Sequence, residues 1–207
     1  MLKRLLIFFF HHLYHSLAWG YDWVAWTVSL GRWNHWGRSV LDLLPPGLIL
    51  ELGFGPGHLQ KSFSQRQMLA IGLDESWQMT RQAARRNPAA RLVRAFAETA
   101  PFQAGIFQSV VAIFPAPYIF KPQTAREIAR LLTHKGTLLI LLAARPSGPR
   151  ISDRLVRALF RITGETPRPD ADFSAVISIY QQAGIAASLE WRTVDQSELL
   201  YLTGFKE

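Results

Sequence analysis

The sequence predicts an α/β fold built on a doubly wound, mostly parallel sheet, and three observations carry that prediction. An unbroken apolar run, Leu48-Ile49-Leu50, suits a strand covered on both faces and leads into a loop with glycines at alternate positions, Gly53, Gly55 and Gly57. A second apolar run over residues 68–73 ends in Asp74. Strand-like and helix-like segments then alternate with short connections, the order of a parallel sheet with helices on both faces.

Glu51 and Leu52 close the first strand. Alternate glycines let the backbone take positive φ and approach a ligand without Cβ clashes, and a helix can begin near Pro56, since proline suits a first turn. The free amides of that helix start would face the bound molecule. Glu51, just ahead of the loop, can order the loop amides or accept from a cationic ligand group. A dinucleotide fingerprint would place its third glycine at position 58, which here is His58. Asp74 lies on the same sheet edge, where a carboxylate accepts from both hydroxyls of a ribose. Capping the following helix, 75–86, is a second role compatible with the first. A strand at 109–114, a turn at 115–118, a helix at 124–132 and a strand at 137–142 follow. A helix over 172–183 then precedes two strands, 187–194 and 198–205, joined by a turn at 195–197.

With 207 residues and 49% hydrophobic content, the chain makes one domain with a substantial core. It has no cysteine, which excludes thiol catalysis, disulfides and thiolate metal sites and gives no sign of an oxidising compartment. No run reaches the roughly 18 to 20 apolar residues of a membrane-spanning helix. The net charge of +8 suits a membrane surface, nucleic acid or acidic small molecules. No nucleic-acid-binding module is recognisable, so nucleic acid is not the expected partner. The sequence does not specify an oligomeric state.

The glycine loop with Glu51, the strand ending in Asp74 and the later strands resemble the class I S-adenosylmethionine-dependent methyltransferases over residues 20–145. The family pattern E/D-x-G-x-G-x-G is matched by Glu51, Gly53, Gly55 and Gly57. The resemblance implies S-adenosylmethionine as cofactor and a Rossmann-like, seven-stranded sheet completed by a C-terminal antiparallel hairpin. It also implies N-terminal helices, an aromatic cap over residues 1–45 that forms one compact unit with the methyltransferase domain at 46–207. Asp74 matches the family's second-strand acid, and Met79 falls where an apolar residue packs on the adenine. The segment Val93-Arg94-Ala95-Phe96-Ala97-Glu98 with Pro101-Phe102 is similar to the family's GDAExLPF stretch beside the adenine, which places Ala97 and Glu98 at the cofactor. Phe96 stands where an aspartate commonly accepts from the adenine amine, a role left to Glu98 or to backbone groups. Phe114, closing the fourth strand, completes the implied cofactor set.

Pro115-Ala116-Pro117-Tyr118 is similar to the NPPY or DPPY motif of amino-group methyltransferases, but Phe114 or Pro115 stands where the Asn or Asp acceptor belongs. Methylation of nucleic-acid or protein amines through this motif is therefore not expected. Tyr118 either lines the substrate pocket or packs in the core. Tyr21-Asp22 and Ser29-Leu30-Gly31-Arg32-Trp33 with Trp36 resemble the segment before the glycine loop in the ubiquinone/menaquinone biosynthesis methyltransferases, which implies that Tyr21 touches cofactor or substrate.

Met1-Leu2-Lys3-Arg4, an apolar run over residues 5–10 and a stretch holding Trp19, Trp23, Trp26, Trp33 and Trp36 open the chain. The bulky residues after the apolar run, with no small-x-small cleavage site, argue against a signal peptide. A helix packed on the domain's own sheet and a helix lying in a membrane interface both fit. Residues 146–167 read as an insertion, in which Arg150, Arg154, Arg157 and Arg161 form one basic stripe on a helix. That stripe is either a solvated face or a contact for anionic lipid. The expected acceptor is a lipophilic small molecule, a quinone precursor or a lipid, and the expected location is cytoplasmic, peripheral on the inner face of the membrane. The alternative is a non-catalytic protein that keeps the fold and binds a membrane or a partner.

Histidine is the residue type suited to acid–base work, which makes His11, His12, His15, His35, His58 and His134 the candidates, but none is assigned as a catalytic base. His11 and His15 lack a third ligand, so no metal site is expected.

Overall fold

A computed structural model describes residues 32–148 and 173–207. Tyr21, the segment before residue 32, the arginine stripe and most of the insertion lie outside the described residues. Within them the chain forms α1 (Trp33–Arg38), a 3₁₀ helix (Ser39–Leu43), β1 (Ile49–Leu52), α2 (His58–Gln65), β2 (Ala70–Asp74), α3 (Trp77–Arg86) and β3 (Arg91–Arg94). A 3₁₀ helix (Ala97–Thr99), β4 (Phe107–Ile113), a 3₁₀ helix (Pro117–Phe120), α4 (Pro122–Leu131), β5 (Leu132–Pro146), α5 (Ser174–Gln182), β6 (Ile185–Val194) and β7 (Ser197–Lys206) follow.

The seven strands make one sheet in the order β3-β2-β1-β4-β5-β7-β6. β1 to β5 pair in parallel, while β7 runs antiparallel to both β5 and β6. Strand alternation divides the apolar runs between two cores. Leu50, Leu52, Val110, Ala112, Leu138 and Ile140 join the core under α4 and α5, whereas Ile49, Val111, Leu139 and Leu141 face Trp36 and Val40 of the N-terminal helices and Phe63 of α2. Continuous apolar strands are thus buried on both faces, as parallel sheets require. The strand order reverses between β1 and β4, and the crevice at such a switch point, outside the carboxyl ends of the strands, is where open α/β sheets bind ligands.

Three boundaries differ from the sequence reading for identifiable reasons. α2 starts at His58, two residues beyond Pro56, because Gly57 takes a left-handed φ of 81° as its N-cap. β5 starts at Leu132, yet Phe107 pairs with Leu132 and Ser109 with Thr137, so residues 133–136 loop out of the ladder before the predicted strand. Lys135, at φ 60°, and the exposed His134 belong to that loop. At its other end β5 extends to Pro146 because β7 offers pairing partners down to Ser197, after β4 has ended at Ile113.

Tyr180 of α5 is fully buried and donates its hydroxyl to the Ile119 carbonyl at 2.8 Å, joining α5 to the turn after β4. Tyr180→Phe leaves that carbonyl without its donor, and an expected loss of about 1–2 kcal/mol in urea denaturation checks the contact.

Candidate functional site

The crevice is built from the loops that leave β1, β2 and β4. Alternation along β1 turns Glu51 toward α1 and α2, where it is 2% exposed and accepts a hydrogen bond from Gln60 Nε2 at 2.7 Å. Burial pushes its carboxyl up to about 8 against the opposing Gln60 bond, and the nearby charge of Asp74 adds to the rise. Glu51 is therefore largely a neutral acid near pH 7.

Asp74 closes β2 and ties the site together. Its Oδ2 accepts from the Gly55 amide at 2.9 Å and its Oδ1 from the Ser76 amide at 2.8 Å. Burial raises its pKa, the Ser76 and Gly55 bonds oppose that rise, and the charge of Glu75 adds to it. Each carboxylate oxygen keeps acceptor capacity for a further donor. The cap of α3 is Ser76 rather than Asp74, since Ser76 Oγ accepts from the Met79 amide at 3.3 Å. Asp74 thus stays outside the helix, its carboxylate directed at the loop.

The loop glycines have positive φ, 69° at Gly53, 52° at Gly55 and 81° at Gly57. A Cβ on Gly53 would lie 2.5 Å from the Tyr118 hydroxyl, and one on Gly57 would lie 2.7 Å from Ala83 Cβ of α3. At Gly55 a Cβ would meet nothing within 4 Å, so this backbone faces open space. The Tyr118 hydroxyl is buried without a hydrogen-bond partner, and burial raises its pKa well above the usual phenol value. It remains a protonated donor held against the glycine loop.

On the α1 side of the loop lies a cleft of about 510 Å³, counted with its open mouth, lined among others by Trp33, Arg38, Glu51, Gly53, Gly55 and Ile113. Phe114, at φ 45°, turns into this side, its ring 4.1 Å from that of Trp33 and 6.4 Å from that of Trp36. Arg38 donates from Nε to Ser62 Oγ at 3.2 Å.

The structure thus brings Glu51, the three glycines, Asp74 and Tyr118 together around one loop. Met79 and Ala97 are buried in the elements that follow β2 and β3, and Glu98 pairs with Lys121 Nζ at 2.7 Å. That bond, more than the charge itself, holds the Glu98 carboxyl below the usual carboxylate range. Of the histidines, His58 opens α2 with Nε2 at 3.2 Å from Arg86 Nη1, and His35 meets Asp195 Oδ2 at 2.5 Å. Sequence reasoning missed Gln60 and Arg38. Gln60 had a signal: it lies beside the Leu59 and Phe63 stripe of α2, where a buried polar side chain requires a partner. Arg38 had none, since its place depends on how α1 docks.

These residues suit S-adenosylmethionine: a sheet-edge carboxylate for ribose hydroxyls, an open glycine backbone, an orphaned phenol donor and a buried carboxyl able to meet a cation. A family profile described as a methyltransferase domain matches residues 49–136. A methyltransferase of Bacillus subtilis, YdaC, is 32% identical over 132 residues, covering 61% of this chain and 71% of that one. A demethylmenaquinone methyltransferase of Thermotoga maritima is 25% identical over 149 residues, 69% of this chain, and the chain spans just 65% of that relative's length. Among solved structures, a Thermotoga maritima S-adenosylmethionine-dependent methyltransferase, titled a possible histamine N-methyltransferase, superposes with a TM-score of 0.65 at 15% identity, covering 95% of this chain and 99% of the other. At that identity it shows the shared fold. With Glu51, the glycine loop and Asp74 in the arrangement just described, the chain belongs to the class I S-adenosylmethionine-dependent methyltransferases.

Proposed function

We propose that this chain transfers the methyl group of S-adenosylmethionine to a lipophilic small-molecule acceptor, a quinone precursor or lipid-like compound, at a membrane surface. The observation that carries the reading is the joint placement of Asp74, the open backbone of Gly55 and buried Glu51 beside an aromatic cleft. The acceptor class is supported by the demethylmenaquinone methyltransferase relative and by the apolar lining of the cleft, Trp33, Phe54, Leu59 and Ile113. The membrane surface is supported by the basic, aromatic N-terminal segment. No helix of the described residues is long and apolar enough to cross a membrane.

The bound cofactor supplies an electrophilic sulfonium methyl, so the protein's tasks are to bind, orient and exclude water. Asp74 would hold the ribose hydroxyls with its remaining acceptor capacity, while its bonds to Gly55 and Ser76 keep the loop in position. Glu51 would meet the amino group of the methionyl part, releasing its proton as a cation enters. The Tyr118 hydroxyl offers a donor beside Gly53, and the apolar lining at Trp33 and Phe54 would help to exclude water.

Calorimetry on the full chain tests the cofactor assignment. S-adenosylhomocysteine is expected to bind, and Asp74→Ala to weaken it about ten- to hundredfold, the worth of charge-assisted hydrogen bonds; absence of binding of both cofactor and product by the unaltered chain overturns the reading. Methyl transfer to a demethylated quinone, with none to a water-soluble amine, is the expected acceptor preference.

Glu51 also sets a pH dependence. In the fold it keeps its proton up to about pH 8, whereas the unfolded chain loses it near 4.5. Between these values the unfolded state binds fewer protons, so stability of the ligand-free chain falls as pH rises, by up to about 1.4 kcal/mol per pH unit. Glu51→Gln removes this contribution. Urea denaturation of both proteins at pH 5 and pH 8 measures it, and equal pH dependence would rule it out. For the membrane, the full chain is expected to float with anionic liposomes and a chain lacking residues 1–18 to remain behind; equal flotation counts against an N-terminal anchor.

A further inference from the structure

The two edges of the sheet differ in how they are protected. β3 forms one edge over just four residues, with exposed Arg91 and Arg94 at its ends. Short, charged edges resist pairing with another chain. β6 forms the other edge over ten residues, and its pairing with β7 runs without a register shift from Ile185 opposite Lys206 to Val194 opposite Ser197. It has no proline, glycine, lysine or bulge, the usual means of blunting an edge. Its charged residues are Glu190 and Arg192, on either side of Trp191.

The free hydrogen-bonding groups of β6 follow from its hairpin. A two-residue turn, Asp195-Gln196, joins Val194 to Ser197, and such a turn closes on a hydrogen-bonded pair. Antiparallel pairs alternate, so the even-numbered residues of β6 direct their amides and carbonyls at β7. The far end agrees, since the Gly184 carbonyl accepts from the Glu207 amide at 3.2 Å. Ala187, Leu189, Trp191 and Thr193 therefore present theirs outward, and none of these groups has another backbone partner among the described residues.

A second copy of the same edge fits these groups under a two-fold axis. Outward residues must face outward residues, so the axis passes through a residue. Set at Trp191, it places Trp191 opposite its counterpart, Leu189 opposite Thr193, and Glu190 of each copy opposite Arg192 of the other. Moved to Glu190 or Arg192, it sets that charge against itself; moved to Leu189, it faces Glu190 with Ser188 and Arg192 with Ala186 and matches neither. Opposite charges directly across a strand pair stabilise it, and like charges destabilise it. Within one chain Arg192 Nη2 lies 2.5 Å from Glu190 Oε1 with both side chains 39% exposed, so both charges remain at the surface. Trp191 points to the other face of the sheet, where the Arg145 guanidinium lies 4.4 Å from its ring and donates to Glu198 Oε2 at 2.7 Å.

We propose that two copies of this chain associate through β6, antiparallel about a two-fold axis at Trp191, with Glu190 of each copy against Arg192 of the other. The crevice between β1 and β4 lies beyond β7 and β5 from this edge and stays open.

Sedimentation velocity of the full chain tests the pairing. A monomer–dimer equilibrium with a Kd on the order of micromolar is expected, the strength of a small interface. Glu190→Arg and Arg192→Glu each place like charges opposite one another on both sides of the axis and weaken association about tenfold or more. An equimolar mixture of these two variants is expected to recover the affinity of the unaltered chain as a heterodimer, which native mass spectrometry separates by mass. Loss of the ion pair within one chain cannot produce that recovery. Thr193→Pro removes an outward amide while leaving the β6–β7 ladder intact, and is expected to give a monomer. Circular dichroism should show all three variants folded as the unaltered chain. A chain that stays monomeric at about 100 µM overturns the proposal. So does a dimer unmoved by the charge reversals or by Thr193→Pro, or a mixture that fails to associate. Species larger than a dimer would mean that β6 meets the β3 edge of the next copy in an open array, which overturns the two-fold arrangement.

Discussion

The Asp74 carboxylate is the interaction on which the rest of the site depends. Placed at the end of a buried parallel strand, it accepts amides from two loops, Gly55 after β1 and Ser76 before α3. A loop whose glycines all sit at positive φ has little rigidity of its own, and these bonds give it a fixed path. The Gly53 amide adds a bond to the Leu73 carbonyl at 2.7 Å, so the loop is anchored along the end of β2. The energetic logic is that of buried polar groups generally: left unpaired they cost stability, so pairing them specifies one arrangement.

Glu51 and Tyr118 extend that logic. Each is a buried polar group that the fold leaves partly unused, Glu51 satisfied on one oxygen by Gln60 and Tyr118 without a partner. Both border the glycine loop, one below it on β1 and one against Gly53. Their raised pKa values have the same first cause, burial, and leave a neutral acid and a neutral phenol near the switch point of the sheet. A ligand bearing a cation and hydrogen-bonding groups relieves both, which is how a site can be costly to the free chain and favourable to the complex.

The helices before the glycine loop are part of this construction. Trp36 and Val40 are buried in the same core as Phe63 and Leu139, and Ser39 Oγ lies 2.6 Å from the Tyr201 hydroxyl on β7. Trp33 at the cleft therefore stands on a helix docked to the sheet, with Phe114, just after β4, packed against Trp33 and the buried Trp36. The apolar lining of the cleft, Trp33, Phe54, Leu59 and Ile113 among it, is interrupted by the polar side chains of Asn34, Arg38, Glu51 and His58.

The sequence by itself determined the strands that bear the site, because unbroken apolar runs are buried on both faces of a parallel sheet and glycines at alternate positions leave few other conformations. It also determined that Glu51, the glycine loop and Asp74 share one edge, since each follows or ends a strand in the same direction. Tertiary structure alone decided what long-range packing controls. The length of β5 depended on the reach of β7, and the loop at 133–136 had no period to announce it. Whether Asp74 capped a helix or held the loop depended on Ser76 taking the cap, and Arg38 and Trp33 reached the cleft only because α1 docks beside β1 and β4. Such contacts join residues tens to more than a hundred positions apart, and local pattern is blind to them because its physical basis, periodicity and backbone propensity, acts within a few residues.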